Sequence, residues 1–110
     1  MILLRDSYKV TQAGRGFKIR LPETFVRLMR LDGTAYISVQ GRTMMVSKEK
    51  IHPLYHVERR LLNYTAGAYY VSLPQKYVDK NNLVKSQKMV LTLIDDSGKK
   101  LVKIRPEVKV

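Results

Sequence analysis

"GRGFKIRLPETFVRLMRL", residues 14–31, carries three structural instructions in succession. Gly14 and Gly16 flank Arg15 in a stretch suited to a tight turn, because glycine reaches positive φ without steric cost. Phe17, Ile19 and Leu21 then alternate with Lys18 and Arg20, the period of a strand that is apolar on one face and cationic on the other. Pro22 suits the first position of a helix, where its missing N–H forfeits no bond, and Glu23 falls in the first turn, where the helix dipole favours an anion. Phe25, Leu28 and Met29 follow at i, i+3 and i+4, while Glu23 and Arg27 are spaced to pair on another face. Asp32-Gly33 is the expected stop.

The same order returns in "GAYYVSLPQKYVDKNNL", residues 67–83. An offset of 52 superposes Leu21-Pro22 on Leu73-Pro74, and pairs Phe17, Ile19, Phe25, Val26 and Leu31 with Tyr69, Val71, Tyr77, Val78 and Leu83. Apolar character is kept at every one of these pairs, which marks an internal repeat. In the first copy, residues 8–12 read as an opening strand, "AGRG" as a turn and 17–21 as its partner. Beyond the helix, 35–39 and 43–47 read as strands joined at Gly41-Arg42. In the second copy the strands are 59–64 and 69–73 around "TAG", followed by a helix from Pro74 and a closing hairpin around "DDSG". Each copy is thus ββαββ, one spanning 1–48 and the other 57–110. Residues 49–56 serve as a linker in which Pro53 discourages regular structure. A unit of about 45 residues has hairpins and a helix too short to persist alone, so each copy must bury its apolar faces against the other.

Composition limits what such a molecule can do. Its 110 residues rule out a large multi-domain enzyme. Lys and Arg number 21 against 9 acids, a net charge of +12. That much uncompensated charge points to a polyanionic partner, with nucleic acid ahead of an acidic membrane surface. The charge is shared evenly: residues 1–55 carry 10 basic and 4 acidic side chains, and 56–110 carry 11 and 5, so each half nets +6. No stretch approaches the run of about 18 apolar residues that spans a bilayer, and Arg5 and Asp6 interrupt the N-terminal apolar run, so a cytoplasmic location without membrane association is expected. Cysteine is absent, which removes disulfides and thiolate metal sites.

The order of motifs in "GRGFKIRLPETFVRLMRLDGTAYISV" and "TMMVSK" resembles the SpoVT/AbrB-like domain. The likeness covers about residues 5–48 well and about 57–105 more loosely, and the tandem pair is similar to the MraZ arrangement. It implies a mainly β fold with short helices, in which two ββαββ units interlock as a swapped-hairpin, double-psi-like β-barrel, an intrachain pseudo-dimer open to pairing with a second chain. It also implies a double-stranded-DNA-binding transcriptional regulator that uses basic residues of the first hairpin and its Gly-Arg loop. Gly14, Arg15 and Gly16 match that loop. Ala66, Gly67 and Ala68 stand at the same place in the second unit, without the arginine, and Gly33-Thr34 lacks the acid of the family's Gly-Asp turn.

The residues support the same asymmetry independently. With Phe17, Ile19 and Leu21 facing the core, Lys18 and Arg20 share the opposite surface with Arg15, whereas the second strand would bury Tyr69, Val71 and Leu73 and present Ala68, Tyr70 and Ser72, a neutral face. Six of the nine arginines lie in residues 1–55, and their planar forks suit phosphate and guanine. The candidate DNA contacts are therefore Arg5, Lys9, Arg15, Lys18 and Arg20, with Arg59 and Arg60 beside them in the second copy. Gly14, Gly16 and Gly67 set loop geometry, and an arginine added at Gly67 would strengthen nonspecific binding. Tyr70 is an expected exposed aromatic. Arg27 and Arg30 are assigned to solvent or to Glu23.

Rival readings are an RNA-binding protein, a nonspecific nucleic-acid-packaging protein and an antitoxin-type autoregulator. The last is disfavoured by a short, non-acidic C-terminus. Catalysis has little to stand on. His52 and His56 are spaced i, i+4, but Pro53 lies between them and no third ligand is defined. Asp95-Asp96 in "DDSG" suits a turn, and no phosphate-cradling loop or nucleophile elbow occurs. The chain reads as a non-enzyme with no cofactor, no metal and no small-molecule substrate.

Overall fold

A computed structural model describes residues 1–49 and 56–107, with the backbone alone for 56–61. The first half runs β1 (Ile2–Lys9), β2 (Thr11–Ala13), β3 (Gly16–Leu21), α1 (Glu23–Met29), β4 (Thr34–Gln40) and β5 (Thr43–Ser47). The second repeats the order as β6 (His56–Leu61), β7 (Asn63–Thr65), β8 (Ala68–Ser72), α2 (Gln75–Lys80), β9 (Lys88–Asp96) and β10 (Lys99–Pro106). The fold is mainly β, in two antiparallel sheets. One has the order β1-β9-β10-β5-β4-β6 and the other β2-β3-β8-β7.

The opening strand of each half is broken, where the sequence reads as one continuous strand over 8–12 and over 59–64. At Val10, 2% exposed, the chain leaves the larger sheet and enters the smaller. Its N–H donates to the Gln87 carbonyl at 2.8 Å, and its own carbonyl accepts from the Ser86 N–H at 3.0 Å. Burial of the side chain and pairing of both backbone groups make the break tolerable. Leu62, the repeat equivalent of Val10, does the same between β6 and β7, donating its N–H to Gly33 at 2.8 Å. Most of the expected linker, 50–55, lies outside the described residues. Its last residue, His56, belongs instead to β6, opposite Val39.

Pairing exchanges these opening strands between the halves. β1 lies against β9, in the second half's closing hairpin, with Arg5 opposite Thr92 and Lys9 opposite Lys88. β6 lies against β4, in the first half's closing hairpin. The two hairpins meet through β5 and β10, and β3 meets β8 in the smaller sheet. The buried core accordingly draws on both halves: Ile19, Leu21, Ile37 and Val46 join Val71, Tyr77, Leu91 and Ile104, all of them sealed from solvent. Tyr77 keeps its hydroxyl satisfied there by donating to the Arg42 carbonyl at 2.8 Å.

Both helices start one residue later than their prolines suggest. Pro22 (ψ 140) and Pro74 (ψ 136) are extended N-caps, not first helical residues. The Pro22 carbonyl still accepts from Phe25 and Val26, so the proline serves the first turn from outside it. The stop also differs from the expected Asp32-Gly33. Arg30 takes the left-handed conformation (φ 56), and its N–H reaches Arg27 while that of Leu31 reaches Val26. Asn82 (φ 51), Asp79, Leu83 and Val78 repeat that geometry after α2. Both are Schellman endings, with the repeated leucine folding back over the helix. No helix among the described residues is long and apolar enough to cross a membrane.

Candidate nucleic-acid interface

The β2–β3 hairpin closes through two residues, Gly14 and Arg15, with Ala13 opposite Gly16. Gly14 alone takes positive φ (59), the pattern of a type II′ turn, where glycine is favoured at the first central position. Gly16, read as a second positive-φ residue, instead begins the strand in ordinary conformation. Arg15 is exposed. Along β3 the alternation holds in its central part: Ile19 and Leu21 are completely buried, Arg20 is exposed and Lys18 is half-buried.

Because directly opposed residues share a face, the register assembles the outer surface of the smaller sheet. Thr11, Lys18 and Ser72 form one row across β2, β3 and β8, and Arg20, Tyr70 and Asn63 form the next across β3, β8 and β7. Lys18 Nζ sits 4.1 Å from the centre of the Tyr70 ring. Arg20 Cζ lies 5.4 Å from the ring centre of Tyr8 on β1. The Tyr8 hydroxyl donates to Asp6 Oδ2 at 3.2 Å. Burial, then the charge of Asp6 and this bond, push the Tyr8 phenol above its ordinary value near 10. Among the described residues Arg15, Lys18 and Arg20 have no carboxylate in salt-bridge range; the ion pairs there are Arg27–Glu23, Lys88–Glu107 and Lys100–Asp95. Aromatic rings orient Lys18 and Arg20 without neutralising them.

The second hairpin is built differently. Ala66 (φ 51) and Gly67 (φ 80) are both left-handed, a type I′ pattern. Space around a Cβ at Gly67 is open, yet its φ would strain the arginine that the sequence reading would place there, at about 1–2 kcal/mol. The expected neutral face is also revised. Ala68 is buried, and Tyr70 is half-buried beneath Lys18 instead of free. The aromatic that stands out is Tyr64, 62% exposed, its ring 4.8 Å from that of Tyr69.

The remaining candidates are distributed. Arg5 and Lys9 are exposed on β1, an edge strand of the larger sheet joined to β3 by the Arg20–Tyr8 contact. Arg59 and Arg60 occupy β6 at the opposite edge of that sheet, across from Tyr36 and Ala35. Arg15, Lys18 and Arg20 are therefore the cluster that the fold brings together. Sequence reasoning missed Tyr8, whose partner comes from another sheet, and the aromatic seat under Lys18, whose signal was the unexplained Tyr70. Asp95 accepts from the Gly98 N–H at 2.9 Å, the turn role anticipated for it. His52 lies outside the described residues, and among those described no three His, Cys, Asp or Glu side chains gather to hold a metal. Comparison with protein-family models, curated proteins and solved structures finds no match for this chain.

Proposed function

We propose that this chain is a sequence-specific double-stranded-DNA-binding transcriptional regulator of the SpoVT/AbrB type, with its two ββαββ units interlocked in the manner of a swapped-hairpin, double-psi-like barrel. The exchange of β1 and β6 between the halves supports that architecture. One observation carries the function: Arg15, Lys18 and Arg20 lie on a single hairpin, with Lys18 and Arg20 propped on tyrosines and no carboxylate among the described residues neutralising the three. Such a surface meets phosphates at little cost, since no internal ion pair has to be broken first. The Arg15 turn can then probe a groove, where an arginine fork reads guanine.

Selection of bound duplexes from a random pool by gel shift tests this reading. Enrichment of a defined sequence, retained in the presence of excess structured RNA, is the expected result. An unenriched pool, or preferential displacement by RNA, overturns it.

A further inference from the structure

A cleft of about 620 Å³ opens where the end of α1, the residues after β5 and the β9–β10 turn converge. Its walls are basic: Arg27, Arg30, Lys48, Lys99 and Lys100 outnumber Glu49 and Asp96. Arg27 is engaged by Glu23 at 3.1 Å, and Lys100 lies 3.9 Å from Asp95. Arg30, Lys48 and Lys99 have no carboxylate in salt-bridge range among the described residues. The cleft is also apolar. Leu28 borders it at 42% exposure, on a helix whose Phe25, Val26 and Met29 are buried, and the buried Leu101 of β10 lies at its floor.

The repeat shows that the fold does not demand this. The corresponding cleft beside α2 has about half the volume, 310 Å³, and is lined by Gly41, Arg42, Lys80, Asn81 and Asn82 with no apolar side chain. Leu28 is replaced there by Lys80, and Arg30 by Asn82, each 52 positions on. A polar residue is thus compatible with this place on the helix, and the exposed leucine calls for another explanation.

Charge and polarity together narrow the occupant. A nucleic-acid backbone would use the cations and leave Leu28 against phosphates. A second copy of the chain brings its own +12, which opposes association with a basic cleft. We infer that this cleft docks an acidic peptide segment of a partner protein, its carboxylates reaching Arg30, Lys48 and Lys99 and a bulky apolar side chain lying on Leu28. A mixed surface of this kind, an apolar anchor ringed by charge, is how protein partners are held. It shares no residue with the face proposed for DNA, so it stands independently of that proposal.

Titration of the 15N-labelled protein with the peptide DEEDLFEDDE, followed by amide chemical shifts, tests the inference. Saturable shifts centred on Leu28, Arg30, Gly98 and Lys99 are expected, and the control peptide with Leu and Phe changed to Ser should bind about tenfold more weakly. Lys99→Glu and, separately, Leu28→Ser should each weaken the parent peptide about fivefold to tenfold, the second without changing net charge. Equal binding of the serine control, shifts centred on Arg15 and Lys18 instead, or no saturable shift at all would overturn the assignment.

Discussion

Ile19 and Val71, equivalent positions of the two repeats, stand directly opposite one another in the β3–β8 ladder, and neither is accessible to solvent. The local two-fold relation of the halves therefore passes between them. Lys18 and Tyr70, likewise equivalent, are brought into contact across that line, so one repeat's cation rests on the other repeat's aromatic ring.

Since this ladder ties the halves into one core, Ile19→Ala should destabilise the whole chain by about 2–5 kcal/mol. Urea unfolding followed by far-ultraviolet circular dichroism and by tyrosine fluorescence should give one coincident transition. Two separated transitions would contradict a shared core.

Arg15→Ala should reduce duplex affinity by about 1–3 kcal/mol and make the salt slope shallower by about one. The unmodified protein, contacting about five phosphates, should show a log–log slope of roughly −4 to −5. Gel-shift titration at several salt concentrations measures both, and unchanged affinity would remove Arg15 from the interface.

Tyr70→Leu keeps an apolar seat for the Lys18 stem but loses the ring's attraction for its ammonium, which should cost about 0.5–1 kcal/mol of duplex affinity. The salt slope should stay constant, because no phosphate contact is deleted. Tyr70→Phe should bind as the parent does; a loss there would assign the role to the hydroxyl.

Burial holds the Tyr77 phenol well above its ordinary pKa near 10, against the smaller opposing pull of Arg42 and Arg105. The unfolded chain releases that proton near pH 10 while the folded chain keeps it, so the unfolded state binds fewer protons and stability falls as pH rises past 10. The slope should reach about 1.4 kcal/mol per pH unit from this one group. Tyr77→Phe should be less stable at neutral pH by about 1 kcal/mol, through loss of the bond to the Arg42 carbonyl. It should also lose that part of the alkaline decline, which chemical denaturation at pH 8 and 11 would measure.

Arg30 occupies a left-handed conformation (φ 56) that glycine adopts without penalty. Arg30→Gly should therefore raise stability by about 0.5–1 kcal/mol, read as a rise of a few degrees in Tm. A fall would indicate that the guanidinium supports the end of α1.

The repeat, the strand alternation around Ile19 and the buried Phe25, Met29, Tyr77 and Val78 of the two helices could be read from residue order, because they follow from the two-residue and 3.6-residue periods of the backbone; Leu28, which the same spacing assigns to the buried stripe of α1, is instead 42% exposed. The ends of the helices could not. An arginine in the left-handed region carries no sequence signal, whereas Asp32-Gly33 carries one that the chain does not use for this purpose. The cation cluster was visible as Arg15, Lys18 and Arg20, since a turn and a strand period place three nearby residues on one side.

Partners from distant chain segments were decided at another level. Which hairpin receives β1 and which receives β6 depends on open strand edges many residues away, and the chain breaks at the buried Val10 and the half-buried Leu62 to make that exchange. The face of the second repeat looked neutral on its own. It is joined to the first repeat's basic face because β3 and β8 pair, and that pairing follows from the burial of Ile19 against Val71. Local periods are set by the geometry of successive residues, but the seating of Lys18 on Tyr70 arises when two distant strands close over a common core.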